Sequence, residues 1–254
     1  MKTSQIHARY RQQADWTAPA RRHLLAATGL PNAQRVLEVG CGTGAVLGSL
    51  LLPPGGRLHG LDIDRAALAL ASQHVPQAVL TAGDAHHLPF PDASFDIALC
   101  HFALLWLADP QRGLTEMCRV VRPGGAVLAL AEPDYSQRID EPAELTALGQ
   151  SQTEALQARG ANTSIGGQLP ALFAAAGLQL VDAGPLHADS IGSDGTGHEI
   201  SLEAQTLRAD LSGRIPADKL EHWLAQDAAA WAAGTRRLHV PTYFAFGRVP
   251  HAVV

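Results

Sequence analysis

No stretch of the chain is apolar for long enough to cross a bilayer, which takes about 20 consecutive apolar residues. A secretory leader is missing too: Met1 to Trp16 is polar, carries Lys2, Arg9 and Arg11, and has no apolar h-region. There is no basic run, and a net charge of -5 over 254 residues offers nothing to a nucleic-acid backbone or an anionic membrane. The three cysteines, Cys41, Cys100 and Cys118, are odd in number and form no CxxC. That pattern argues for reduced thiols in a cytoplasm rather than a disulfide framework. Internal repeats and low-complexity tracts are also absent. What remains is a cytoplasmic globular chain, long enough to bury a sizeable core, built as one domain or as one domain with a cap.

Short apolar runs bounded by turn residues alternate with helical patterns, which predicts an α/β protein with a parallel sheet. Candidate strands are Val36 to Val39, Leu58 to Leu61, Ala78 to Leu80, Phe95 to Cys100, Ala126 to Ala131, Leu178 to Val181 and Tyr243 to Gly247. Their apolar character is continuous rather than alternating, as a sheet covered on both faces requires. Leu114, Met117, Cys118 and Val121 share a helical face, and so do Leu169, Leu172, Phe173 and Ala176, with Gly177 as a C-cap. Asp64 is placed to cap an alanine-rich helix, and Asp109-Pro110 puts a capping residue before a first-turn proline.

Two segments break the alternation. Residues 135–165 follow the fifth strand, and 187–238 separate the last two strands. The second opens with a loop from Gly192 to Gly197 and continues with helical patterns around Leu207 and around Leu220, Trp223 and Leu224. We expect one domain over 1–254: a helical arm to residue 35, a ligand-binding core over 36–134, cap segments at 135–165 and 187–238 that cover a substrate, and a last strand within 239–249.

Three motifs carry chemistry. In Val36-Leu-Glu-Val-Gly-Cys-Gly-Thr-Gly44 a buried strand runs into glycines 40, 42 and 44, and a helix is expected to follow. Glycine lets the backbone bend sharply and a ligand come close. Alone this is ambiguous, because Gly40-x-Gly42-x-x-Ala45 also satisfies a dinucleotide fingerprint. One βα unit later, Gly60-Leu-Asp-Ile-Asp64 ends the second strand at Asp62, where a carboxylate can accept both hydroxyls of an adenosyl ribose, with Ile63 against the adenine. In Gly83-Asp-Ala-His-His-Leu-Pro-Phe-Pro-Asp92, Asp84 can accept from an adenine amino group while the Ala85 N–H donates to the ring.

Together VLEVGCGTG, GLDID, GDAHHLPFPDASFDIA and RVVRPGG resemble the successive motifs of class I S-adenosylmethionine-dependent methyltransferases of the small-molecule type, from about Val36 to Glu132. The resemblance implies a Rossmann-like, seven-stranded, mostly parallel sheet. Its last strand would be antiparallel and inserted next to the sixth, with helices on both faces and helical cap insertions. It implies S-adenosylmethionine as cofactor and S-adenosylhomocysteine as product. Glu38 and the turn Gly40, Cys41, Gly42 and Gly44 would hold the methionine part, Asp62 the ribose, and Ile63, Asp84 and Ala85 the adenine. His101 and Phe102 would lie near the sulfonium and the acceptor. Tyr10 would close over the cofactor. The methyl would move by in-line displacement to O, N or C of a small molecule. These motifs do not identify that acceptor or the oligomeric state.

Departures narrow the acceptor. Cys100-His-Phe-Ala stands where nucleic-acid amine methylators carry (D/N)PP(Y/F), and it also displaces the ligand pattern of metal-assisted catechol methylators, so no metal is expected. Arsenite methylators need more cysteines. His101 is the best placed general base, against packing at a strand end. Glu132, Asp134 and Tyr135 form a second polar cluster that could orient a polar or cationic acceptor. His86-His87, without spaced partners, reads as solvated. Of Trp16, Trp106, Trp223 and Trp231, the last two lie about two helical turns apart and read as core. Two other functions stay open: an NAD(P)-dependent oxidoreductase, which here lacks a Tyr-x-x-x-Lys pair, and a non-catalytic S-adenosylmethionine-binding protein.

Overall fold

In the computed structural model the central apolar runs become strands buried on both faces, while the two edge strands, Val79–Ala82 and Gln179–Leu186, stay largely exposed. Residues 3–186 and 197–251 are described. Among them, nine strands form two sheets: β1 (Arg35–Val39), β2 (Arg57–Asp62), β3 (Val79–Ala82), β4 (Phe95–Cys100), β5 (Val121–Pro133), β6 (Ile139–Glu141), β7 (Gln179–Leu186), β8 (Arg237–His239) and β9 (Thr242–Arg248). The main sheet has the order β3-β2-β1-β4-β5-β9-β7, while β6 and β8 pair alone. β1 to β5 run parallel, and β9 is antiparallel to both of its neighbours, β5 and β7. This is the Rossmann-like methyltransferase fold, with the last strand inserted antiparallel beside the preceding one. The chain steps outward from β1 to β2 and β3, then crosses back to place β4 on the other side of β1. Open α/β sheets bind ligands at such a reversal, beyond the carboxyl ends of the strands.

Successive strand residues feed opposite cores, as a period of two requires. Leu37, Ala98 and Val127 join one core, with Leu114 and Met117 of α4 (Pro110–Val120) and Phe173 of α6 (Ile165–Ala175). Val36, Ile97 and Leu128 join the other, with Leu24 and Leu25 of α2 (Ala18–Thr28) and Leu68 of α3 (Arg65–His74). The caps form as their residue types require: Asp64 Oδ1 accepts from the Ala66 and Ala67 N–H groups, Asp109 Oδ1 from Arg112, and Gly177 closes α6 at φ +78°.

One expected helix is replaced by something shorter. After the glycine turn the chain makes only a 3-10 turn over Leu47–Ser49. Gly48 weakens a helix there, and Pro53-Pro54 ends it before a second turn can form. β6 and β8, with three residues each, are too short to leave a sequence pattern.

Helix α1 (Thr3–Trp16) begins the described chain. α5 (Thr146–Gln157), α7 (Gly197–Leu211) and α8 (Ala217–Ala232) share a third core of Leu145, Leu148, Leu207, Leu211, Leu220 and Trp223. Trp223 and Trp231 are buried on α8. The loop expected from Gly192 lies, except for its final Gly197, outside the described residues. Among the described residues no helix is long and apolar enough to cross a membrane.

Candidate functional site

The reversal at β1 places the glycine turn where the sequence put it, and backbone hydrogen bonds lock it. Gly40 and Cys41 N–H donate to the Leu61 carbonyl at 2.8 and 3.0 Å. Gly42 N–H donates to Asp62 Oδ2 at 2.7 Å, and Asp62 Oδ1 accepts from Asp64 N–H at 2.9 Å. The carboxylate at the end of β2 thus sets the shape of the turn and keeps a lone pair on each oxygen. Gly42 has φ +50°, and a Cβ there would lie 3.0 Å from the Tyr10 ring; a Cβ on Gly40 would lie 2.7 Å from Ala103 Cβ. The turn is therefore sandwiched between α1 and the segment that follows β4, which glycine alone permits. Helix α1 is pinned there by His7, whose Nδ1 lies 2.8 Å from Thr43 Oγ1 and whose ring stacks on His74 at 3.5 Å.

A cavity of about 680 Å³ opens at this point, within the range of small-molecule sites. Tyr10, Glu38, Gly40, Cys41, Gly42 and Asp62 line it, and so do Ile63, Asp84, Ala85, His101 and Phe102. Gly44 does not; it packs on α3, where a Cβ would lie 2.8 Å from Val75 Cγ2. Cys41 turns its sulfur toward Gly60, and burial raises its thiol pKa. Ile63 is 75% exposed. Glu38 is buried, and its Oε2 has no hydrogen-bond partner among the described residues. Burial pushes its pKa up to about 8, against the Arg21 guanidinium and the Leu47 N–H. Asp84 stays low, because the His86 N–H and ring both meet its Oδ1.

His101 and the β5-end cluster differ from their sequence reading. His101 Nε2 lies 2.9 Å from Thr17 Oγ1, a hydroxyl that also receives Arg21 Nη1. Burial, then Arg21, depress its pKa to about 3. Glu132 and Asp134 are taken up by protein groups: Glu132 accepts from three successive N–H groups, of Ala103, Leu104 and Leu105. Asp134 accepts from Ser136 and Gln137. Only Tyr135 of that cluster lines the cavity. His86 is not simply solvated: its ring bridges Asp84 and the Asp109 N–H. Among the described residues no group of three or more His, Cys, Asp or Glu side chains could hold a metal.

Sequence reasoning missed Thr17, Gln152, Arg159 and Asp210. Gln152, Leu156 and Arg159 recur at helical spacing within a flagged cap segment and line the cavity together. That periodicity was the available signal.

These pKa directions predict a two-sided pH response. His101 folds with its pKa below the ordinary 6.5, so its contribution to stability is present above pH 6.5 and is lost as pH falls toward about 3. Glu38 and Glu132 fold with pKa values raised from 4.5 to about 8 and about 7. Their contributions are present below pH 4.5 and are lost as pH rises through those values. Urea midpoints of the wild type should therefore fall more steeply than those of His101→Asn as pH drops below 6.5. Parallel curves would remove His101 as the acid-sensitive group.

A protein-family model described as a methyltransferase domain matches residues 37–129. The chain is 32% identical over 214 residues to an uncharacterized 37.1 kDa protein in transposon Tn4556 of Streptomyces fradiae, covering 81% of this chain and 61% of that protein. It is 35% identical over 131 residues to a demethylmenaquinone methyltransferase of Lactiplantibacillus plantarum, covering 48% of this chain and 55% of the relative. The chain thus spans less than two thirds of the length of either curated relative. Among solved structures it resembles Haemonchus contortus phosphoethanolamine N-methyltransferase 2, in complex with phosphomonomethylethanolamine and S-adenosylhomocysteine. That match has a TM-score of 0.57 at 17% identity and covers 92% of this chain and 53% of the other.

Proposed function

We propose, from the premise that this chain belongs to the class I S-adenosylmethionine-dependent methyltransferases, that it transfers the cofactor's methyl group to a small-molecule acceptor bound beneath the cap helices. One juxtaposition carries the reading. The clamped glycine turn, Asp62 and the free Oε2 of Glu38 meet at one end of a cavity whose other end reaches α5 and α7. The residues present fit the cofactor. Glu38 Oε2 is a buried acceptor without a donor, Gly42 leaves bare backbone beside Tyr10, and Ile63 presents an apolar side chain that an adenine ring would cover.

Asp62 would take the ribose hydroxyls on the lone pairs that Gly42 and Asp64 leave. Asp84, whose Oδ1 is held by His86, would offer Oδ2 to the adenine amino group beside the Ala85 N–H. Glu38 and the turn from Gly40 would hold the methionine part, and Tyr10 would close the site from α1. When bound, the cofactor supplies a sulfonium-activated methyl group, an electrophile reactive enough that the protein chiefly orients the acceptor. We assign His101 a positioning role: with Thr17 it ties the α1–α2 junction to the end of β4. The acceptor does not follow from relatives, since demethylmenaquinone in one name and phosphomonomethylethanolamine in another complex are unlike molecules.

Calorimetric titration with S-adenosylhomocysteine, with NADH in parallel, tests the reading. Binding of the first alone supports it, and binding of NADH alone overturns it in favour of an oxidoreductase. Turnover against an acceptor screen then separates an enzyme from a non-catalytic binder. The same titration should report on Glu38. An ammonium docking on a carboxyl poised at about 8 drives it to ionise. Between pH 4.5 and 8, binding should then release up to about one proton per ligand, seen as heat that varies with buffer ionisation enthalpy. Glu38→Gln should abolish that release. Buffer-independent heat in the wild type would remove Glu38 from the ammonium site.

A further inference from the structure

We propose that the methyl acceptor carries an anionic oxygen group, a carboxylate or a phosphate, which Arg159 binds at the cap end of the cavity; this rests on the methyltransferase reading above. The cofactor end of the cavity presents Glu38, Asp62 and Asp84, whereas the cap end presents the Arg159–Asp210 pair beside Leu105, Trp106, Tyr135 and Leu156.

Arg159 is held at one corner only. Its Nη2 donates to Asp210 Oδ1 at 2.7 Å, and its guanidinium carbon stands 5.5 Å from the centre of the Trp106 ring. The side chain remains 42% exposed. Nε and Nη1 have no partner among the described residues, and neither has the Tyr135 hydroxyl, which lines the same space. The carboxylate that holds Arg159 is itself fixed. Asp210 Oδ2 accepts from Gln152 Nε2 at 2.9 Å, and Gln152 Oε1 accepts from Arg138 Nη1 at 2.7 Å. Arg138 pairs with Asp140, Asp140 with Arg236, and Arg236 with Asp227. This relay passes through the fully buried Arg236 guanidinium, ends on the buried Asp227 carboxylate and leaves Arg159 as its outer member. The other guanidinium at the cavity, Arg9, already spends Nη1 on Gln12 and Nη2 on Glu203.

Nη2 carries two hydrogens and Asp210 Oδ1 takes one of them, so one edge of the planar guanidinium, the second Nη2 hydrogen with Nε or Nη1, stays open beside the Trp106 indole and matches the fork of a carboxylate or phosphate. An apolar acceptor body would then rest on Trp106 and Leu156. A cationic acceptor finds no such welcome. Both Asp210 oxygens are engaged, the Glu132 carboxylate is taken by the segment after β4, and Asp134 by its own loop.

Four probes of one shape and different charge decide the matter: hydrocinnamate, phenyl phosphate, hydrocinnamamide and phenethylamine. Their affinities are measured by equilibrium dialysis on the full chain, with and without S-adenosylhomocysteine. We expect at least one anion to bind about tenfold or more tighter than the amide, the increment of a charge-assisted hydrogen bond. Arg159→Gln should remove that preference, and Arg159→Lys, which keeps the charge opposite Asp210 without the fork, should keep part of it. Whichever anion dominates identifies the group as carboxylate or phosphate. Equal binding of all four, preference for the amide or amine, absence of binding to millimolar concentration, or a preference that survives in Arg159→Gln would each overturn the proposal. If the wild type fails to bind S-adenosylhomocysteine, the methyltransferase reading fails separately, while the anion preference is still read on the protein alone.

Discussion

Asp62→Ala should weaken S-adenosylhomocysteine binding by roughly a hundredfold or more while the protein stays folded. Two ribose hydroxyls on one carboxylate make two charge-assisted hydrogen bonds, each worth about 1.5–3 kcal/mol, and about 1.4 kcal/mol is a factor of ten. The same carboxylate also holds the Gly42 and Asp64 N–H groups, so its removal loosens the turn that faces the ligand. The fold should survive, because Asp62 is only half-buried and water can reach the amides it releases. Asp62→Asn, which keeps one acceptor oxygen, should fall between. Titration calorimetry gives the affinity and thermal unfolding gives the fold. An unchanged affinity in Asp62→Ala would remove the ribose assignment, and lost affinity together with lost folding would leave Asp62→Asn to decide it.

The sheet was legible in the sequence because its signals are local and strong. Val36 to Val39 and Phe95 to Cys100 are apolar at all but one position each, Glu38 and Asp96, and a sheet covered on both faces needs such runs. The glycine turn and Asp62 were equally plain, since positive φ beside a ligand and a carboxylate at a strand end both restrict residue type. What escaped depends on neighbours distant in the chain. Gly44 carries the same signature as Gly42, yet it faces α3 rather than the cavity, and only packing against Val75 makes that difference. The surroundings of His101 were not legible, because the burial and the Arg21 charge that depress its pKa come from tertiary structure, with Arg21 eighty residues earlier (101 − 21). The charges of the cap pair across Asp140, Gln152, Asp210 and Arg236, from four separate elements and loops, so no spacing rule finds them.

Glu132 shows the same limit and gives the second large expectation. Sequence position put it at the mouth of the site as an acceptor-orienting group. Instead it is wholly buried and gathers three successive N–H groups at 3.0, 3.1 and 3.1 Å, from Ala103, Leu104 and Leu105. The chain needs this support because it leaves β4 through Phe102 at φ +51°, a conformation a bulky residue seldom adopts, and three donors then point inward. Burial raises the carboxyl to about 7 even against those donors. Glu132→Ala would strand all three amides. At about 1–3 kcal/mol for each buried unsatisfied group, the loss is roughly 3–9 kcal/mol, a large share of a typical 5–15 kcal/mol. At about 2–4 °C per kcal/mol for a chain of this size, the melting temperature should drop by on the order of 10 °C or more. Glu132→Gln, with one acceptor oxygen left, should stay folded and lose less. In that milder variant the segment that presses Ala103 on Gly40 and carries Trp106 beside Arg159 is loosened at both ends of the cavity. Binding of S-adenosylhomocysteine and of the anionic probes should therefore weaken together, whereas Asp62→Ala should weaken the first and spare the second. A Glu132→Gln protein with wild-type stability and wild-type affinity for both would show that the three amides do not set the wall of the site.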